Sequence, residues 1–571
     1  MRAPRTCRTC AGIAAAVALA AAAPVNNRPE GRMLATRSVI HARHGMVASA
    51  HPLATQIGID VLKAGGNAVD AAIAVNAALG FLEPVSCGVG GDLFAILWDA
   101  KSSKIHALNA SGRAPRGVHR EAIPPEPDGA IPPSSPHAWT VPGAVDGWFM
   151  LHERFGRLPM QRLLAPAIRA AEEGEPVPQV IAAAWELGAA RHGDKPGFAA
   201  TFLPGGRAPR EGEIFRNPGL ARTYKLIAEG GRDAFYKGAV ADAVDAFSRK
   251  VGGALRKEDL AAHRSEWVEP VSTAYRGAAL WELPPNGQGI TALEMANIVE
   301  RFDLRAMGRA SPDFWHVMIE AKKLAFEDRA RFIADPAFAK VPVASLVSKE
   351  YARDRAGRID MARAARQIAP GDPRFAAGDT TILAAADGEG NMIALIQSNY
   401  SGFGSGYAVE GFGFGLHNRG SQFDLRPGRA NTIEPGKRPF HTIIPALVTR
   451  GGKPWIAYGV MGGDMQPQGH VQVLVNLVDF GMNLQEAGDA PRFYHTESSD
   501  PDGSVMKDGG RLALEPGVPE EVRRELLRRG HRIEDAPAPA FGGYQAVARD
   551  PATGVLSGAS ESRKDGCAIG Y

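Results

Sequence analysis

The sequence predicts an α+β protein in which helices pack on antiparallel sheets, and three patterns predict it. Between residues 143 and 334, apolar side chains recur with helical spacing at 163–171, 220–229, 239–247, 291–302 and 314–332. Beyond Thr380 the pattern changes to short strands at 382–386 and 392–398, joined by the turn Asp387-Gly388-Glu389-Gly390-Asn391. Earlier, residues 93–98 and 105–108 flank a polar turn at 100–104 and form a hairpin. Runs of strands and runs of helices in this order place helices on sheet faces.

The remaining elements follow in chain order. A first helix at 53–63 is closed by Gly65-Gly66, and Asn67 caps a second one, with Asp70 three residues on and 71–79 as its apolar body. Gly88-Val89-Gly90-Gly91-Asp92 lacks the Lys-Ser/Thr of a phosphate loop and does not lead from a strand into a helix, so it is a tight turn. Residues 115–140 are proline-rich and irregular, and 335–378 form a charged connector with the composition of an exposed, movable segment. Strands at 455–460 and 543–548 alternate with helices at 470–479 and 519–529, with Pro519 where the first turn tolerates it. There is no internal repeat.

At 571 residues the chain exceeds ordinary single-domain size. A net charge of +3 excludes a nucleic-acid footprint. Four cysteines, two of them in the first ten residues, exclude a disulfide framework. Arg2, Arg5 and Arg8 precede an apolar stretch at 11–23, with Ala18-Leu19-Ala20 as a cleavage signal, so residues 1–23 are a signal peptide and 24–44 an N-terminal extension. Export to the periplasm or beyond follows. Translation from Met33 would instead leave the protein cytoplasmic. No stretch reaches transmembrane length.

Thr380 carries the chemical expectation. A threonine hydroxyl becomes a useful nucleophile when a base takes its proton, and a free α-amine titrating near ~8 can serve where a lysine near ~10.4 cannot. That amine exists on Thr380 only if the chain is cut between Asp379 and Thr380. Antiparallel pairing of the hairpin brings Ser398 back toward Thr380, where its hydroxyl can bond Thr380 Oγ. Gly462-Gly463 follows a strand, and consecutive glycines let backbone N–H groups approach an oxyanion. On spacing alone each keeps a plain alternative: a capped turn, a strand-end serine, an ordinary turn. No spacing supports a metal site. His41 and His44 lack an acidic partner, and Cys7 and Cys10 leave with the leader.

Ordered blocks along the chain resemble the γ-glutamyltranspeptidase family of N-terminal-nucleophile hydrolases. They include Gly45-Met46-Val47-Ala48-Ser49, Gly65-Gly66-Asn67-Ala68-Val69-Asp70, Gly88-Val89-Gly90-Gly91 and Val141-Pro142-Gly143. The later blocks are Leu324-Ala325-Phe326-Glu327-Asp328-Arg329, Asp379-Thr380-Thr381, Gly404-Ser405-Gly406, Gly436-Lys437-Arg438-Pro439, Gly462-Gly463 and Ala490-Pro491-Arg492-Phe493. The resemblance implies a four-layer αββα sandwich with a helical elaboration. It also implies self-cleavage into a large chain (45–379) and a small chain (380–571) that remain a heterodimer. In it Thr380 is nucleophile and base, Ser398 its support, and Gly462 and Gly463 the oxyanion donors. The implied reaction is attack on a γ-glutamyl amide, then acyl transfer to water, an amino acid or a peptide, without a cofactor.

The pocket departs from the family. Ser111 stands where an arginine is usual, with Arg113 two residues later, and His441-Thr442 replace paired serines. Tyr400, Arg419 and Gln422 occupy the positions of the groups that hold the glutamyl ammonium. These six substrate-side positions (Arg113, Tyr400, Arg419, Gln422, His441 and Thr442) offer donors for a carboxylate and a cation where a substrate cation would sit. The alternative substrates are therefore amides whose acyl group carries a carboxylate without an α-ammonium, glutaryl-cephalosporin or oxamate in type. A third alternative is an uncut, non-catalytic binding protein.

Overall fold

The computed structural model describes residues 35–127, 129–368 and 379–571. The expected signal peptide and most of the expected N-terminal extension lie outside the described residues. Among the described residues no helix is long and apolar enough to cross a membrane.

Two seven-stranded sheets stack face to face. The first runs Cys567–Gly570, Gly45–Ser49, Asp379–Asp387, Met392–Tyr400, Asp92–Asp99, Lys104–Ala110, Glu266–Val268. The second runs Ile40–Ala42, Leu556–Ser560, Gly543–Arg549, Lys453–Met461, Ala446–Arg450, Ala278–Glu282, Val271–Tyr275. All neighbouring pairs in both sheets are antiparallel. Each sheet contains strands from both before and after residue 379.

Period-two alternation sorts the side chains into layers. Ile382, Ala384 and Ala386 enter the core between the sheets with Phe94, Ile396, Leu447 and Met461. Leu383 and Ala385 face the opposite way, into a core shared with the helices Pro52–Lys63, Ala68–Leu82 and Met160–Glu173. A third core packs Gly289–Val299, Pro312–Phe332 and Met465–Val478 on the outer face of the second sheet. The result is the expected αββα sandwich. The sheets approach closely because Gly459 has no side chain: a Cβ there would lie 2.8 Å from Ile382.

Local signals explain the best-anticipated helices. Asn67 and Asp70 form a full capping box at the start of Ala68–Leu82. His51 caps Pro52–Lys63 through Nδ1, which accepts the Leu53 N–H at 3.2 Å. A cap that accepts must keep its lone pair, and burial pushes the His51 pKa down to about 4. The unfolded chain, titrating near 6.5, therefore takes up a proton first, and stability falls as pH drops from 6.5 through 4. His51→Asn keeps a good cap without a titrating ring. Its unfolding free energy in urea should gain on the parent's by about 2 kcal/mol between pH 7 and pH 5, and an unchanged gap would refute the assignment.

Three expectations are corrected. The mainly helical segment 143–334 contains the strands Glu266–Val268, Val271–Tyr275 and Ala278–Glu282, which complete edges of both sheets. The connector is not simply exposed: it carries the helices Val343–Leu346 and Lys349–Ala356 and buries Asp335, Ala352 and Arg355. The helix expected at 470–479 begins at Met465, because Pro467 falls in a first turn that needs no N–H from it.

Candidate active site

Thr380 begins the strand Asp379–Asp387 in phase with Ile382, so it lies at the end of the layer between the sheets and is fully buried. Pairing with Met392–Tyr400 slips here: Asp379 faces Tyr400 but Thr381 faces Gln397, leaving Ser398 and Asn399 as an irregularity opposite Thr380. Thr380 Oγ1 and Ser398 Oγ are 3.1 Å apart, the contact expected from the sequence. Ser398 Oγ also accepts the Tyr400 N–H at 2.8 Å, which helps hold Tyr400 at a strained φ of +76°. Behind Thr380, Thr381 donates to Glu83 at 2.8 Å and Asn76 donates to Gln397 at 3.1 Å, tying both strands to the helix Ala68–Leu82.

The glycines of the 88–91 turn are required by close approach. A Cβ on Gly90 would lie 2.0 Å from the Gly415 carbonyl oxygen, and one on Gly91 2.6 Å from that of Ser398. This turn delivers Asp92 directly opposite Ser398 in the ladder. Sequence reasoning did not assign Asp92 a role. Its Oδ2 accepts from His441 Nε2 at 2.9 Å and lies 3.4 Å from His417 Nδ1 and 3.9 Å from Arg419 Nε. Burial alone would raise the Asp92 pKa, but His417, His441 and Arg419 hold it well below the carboxylate range. His441 Nδ1 accepts the Ile443 N–H at 3.3 Å, so its proton is on Nε2, and burial with Arg419 nearby pushes its pKa down to about 3. His417, also unassigned by sequence, bonds through Nε2 to the Thr140 carbonyl at 3.0 Å.

Arg419, Tyr400, His441 and Thr442 thus meet in one fully enclosed cluster. Arg419 donates to Thr442 Oγ1 at 2.8 Å and stacks 4.4 Å from the Tyr400 ring centroid. Among the described residues, its Nε and second terminal nitrogen have no hydrogen-bond partner, nor do the Tyr400 hydroxyl and both amide atoms of the equally buried Gln422. An unpaired buried polar group costs about 1–3 kcal/mol. Those of Arg419 and Tyr400, beside Asp92 and the end of the strand that holds Ser398, mark a place for a polar ligand. Arg113 does not join them: its guanidinium is partly exposed and held by Glu266 at 2.9 Å, Asp335 at 3.4 Å and the Gly436 carbonyl at 3.1 Å.

Gly462 and Gly463 follow the strand Lys453–Met461 at φ +116° and +55°. Their carbonyls accept from Met465 N at 2.9 Å and Gln466 N at 3.2 Å, starting the next helix. Among the described residues, the group spaced to hold a metal ion is His316, Glu320 and His531. Lys323 Nζ lies 2.8 Å from Glu320, so that carboxylate already holds a cation of the chain's own.

An αββα sandwich with a threonine and a serine hydroxyl meeting at the end of the layer between its sheets has the architecture of the N-terminal-nucleophile hydrolase class. The family model Gamma-glutamyltranspeptidase matches residues 54–571. The chain is 36% identical over 537 residues to the Glutathione hydrolase-like YwrD proenzyme of Bacillus subtilis (strain 168), spanning 94% of this chain and 99% of that one. It is 37% identical over 534 residues to the Acylase ACY 1 proenzyme of Pseudomonas sp. (strain SE83), spanning 92% and 93%. Among solved structures it is similar to a cephalosporin acylase from Bacillus halodurans, with a TM-score of 0.86 at 45% identity over 94% and 97% of the two chains. The chain belongs to the gamma-glutamyltranspeptidase family and is a hydrolase of that family.

Proposed function

We propose that this chain is a proenzyme that cuts itself before Thr380 and then hydrolyses or transfers acyl groups from γ-glutamyl-type amides. The observation that carries this reading is the 3.1 Å Thr380–Ser398 hydroxyl pair at the end of the inter-sheet layer. In the precursor, Thr380 Oγ attacks the Asp379 carbonyl carbon, the peptide C–N bond breaks, and the acyl group shifts to oxygen. Water then cleaves that ester, leaving a carboxylate on Asp379 and a free amine on Thr380.

In the mature enzyme that amine takes the Thr380 hydroxyl proton as Oγ bonds the substrate carbonyl carbon. The Gly462 and Gly463 N–H groups receive the oxyanion. The proton passes to the leaving amine, and water or an acceptor amine then releases the acyl group from the threonyl ester. Asp379 closes the large chain and Thr380 opens the small one, and the two stay together as a heterodimer. The arginine-led alanine stretch at the start fits export to the periplasm or beyond. Edman sequencing of the small chain tests the reading: it should begin at Thr380, and a pure uncut yet active chain would end the proposal.

A second reading of the acyl group is favoured by Arg419, whose unpartnered N–H groups suit a carboxylate. An α-ammonium in the same enclosed space would be repelled by a few kcal/mol. It draws support from the acylase names of two of the relatives. On this reading glutaryl-p-nitroanilide should show a kcat/KM at least about tenfold above that of γ-glutamyl-p-nitroanilide, a gap of about 1.4 kcal/mol. The reverse order would leave γ-glutamyl amides as the substrate class.

A further inference from the structure

Gln288 sits in the turn-rich run Pro284-Pro285-Asn286-Gly287-Gln288-Gly289, where sequence reasoning saw no chemistry, and it is fully buried. Every polar atom it has is engaged. Its N–H donates to the His441 carbonyl at 3.0 Å, and its own carbonyl accepts from Thr291 at 3.0 Å. Its side-chain Nε2 donates to the Thr442 carbonyl at 2.7 Å and to the Gly463 carbonyl at 3.0 Å. Its Oε1 accepts from Arg329 at 2.6 Å. Arg329 is fixed in turn by Asp464 at 2.6 Å and Asp500 at 2.7 Å.

Two consecutive glycines at positive φ have unusual freedom to rotate their peptide planes. Donors that must face a developing oxyanion cannot keep that freedom, because their value lies in being set in advance. Gln288 limits it from the C-terminal side: with the Gln466 N–H it fixes the Gly463 carbonyl, and so the ψ of the residue that carries the second donor, and the same nitrogen pins Thr442, whose hydroxyl meets Arg419. A side-chain amide suits this job: it offers two N–H groups to two carbonyls and an oxygen to a guanidinium. Gln288 and Arg329 precede residue 379, whereas Thr442, Gly463, Asp464 and Asp500 all follow it.

We propose that Gln288, braced by Arg329, is a positioning residue for turnover, by which the large chain locks the oxyanion loop of the small chain. This rests on the reading of Gly462 and Gly463 as oxyanion donors. Losing one such donor outright costs about 10²–10³ in kcat, so loosening the loop should cost about 10–100-fold.

The test is Gln288→Glu, which keeps the length and the acceptor for Arg329 but faces two carbonyl oxygens with a third. Gln288→Met serves as a second variant without added charge. The expected result is a chain still cut before Thr380, with kcat down about 10–100-fold. KM should stay within about threefold, and the pH dependence of kcat should be unchanged, because the Thr380 amine is still the base. Parent kcat in both variants would overturn the proposal. So would a rise in KM alone, which would make Gln288 a substrate contact, or joint loss of melting temperature and cleavage in both, which would make it a folding residue. A parent enzyme whose small chain did not begin at Thr380 would remove the nucleophile, and the brace with it, so the two failures are separable.

Discussion

Thr380→Ala should give one uncut polypeptide on a denaturing gel and no measurable amide turnover. Both losses have one origin. Without the hydroxyl, no bond can form to the Asp379 carbonyl, so no acyl shift occurs and no α-amine appears. The variant therefore lacks nucleophile and base together. Removing a covalent nucleophile that works with its own base costs about 10⁴–10⁶-fold in kcat. Thr380→Ser retains the oxygen and should still cut, more slowly or less cleanly, because the methyl that helps fix the rotamer is gone. Cleavage at the same peptide bond in the alanine variant, or turnover within tenfold of the parent, would contradict the assignment.

Arg329→Met should be the most destabilising single change in the interior described above. Arg329 is fully buried and is the shared cation of Asp464 and Asp500. Burial raises the Asp500 carboxyl, and Arg329 opposes that rise. Removing one member of such a group strands the other charges, which costs about 3–5 kcal/mol. The sign of the pH dependence follows. Without the cation, Asp500 is raised further above its unfolded value, so the folded variant binds the extra proton. Burial already pushes Asp500 up to about 8 in the parent, so the penalty should grow as pH rises above 8 and level off below it. Urea unfolding of the parent and variant, both carrying Thr380→Ala so that they remain uncut, measures it. A deficit under about 1 kcal/mol at pH 8, or one that grows toward pH 5, would show that the group is not a charge cluster of this kind.

Where structure was locally encoded, the sequence revealed it. The Asn67 capping box, the turn at residues 387–391 and the short apolar strand at 392–398 each depend on residues a few positions apart, and all appear as expected. The strand Val271–Tyr275 was hidden because it is only five residues long and lies among strong helical periodicities. Its identity as a strand depends on pairing with Ala278–Glu282, not on its own composition.

The candidate site divides in the same way. Thr380 and Ser398 are hairpin partners, so their meeting could be inferred from spacing. Asp92, His417 and Gln288 could not be found that way: Asp92 reaches His441 across 349 positions, and Gln288 reaches Gly463 across 175. Arg113 failed for the converse reason. Nothing near it in sequence announces Glu266 or Asp335, the two carboxylates that hold it away from the cluster.

The mixing of strands from either side of residue 379 has a consequence for the proposed cut before Thr380. The strand Gly45–Ser49 is hydrogen-bonded to Asp379–Asp387 on one edge and to Cys567–Gly570 on the other, so neither product can leave without tearing open a ladder of the other. On that proposal, the cut ends first-order refolding. Once denatured, the severed pair must find each other by diffusion, so recovery should depend on dilution where the precursor's does not. The molecule gains its catalyst and gives up its ability to renature alone.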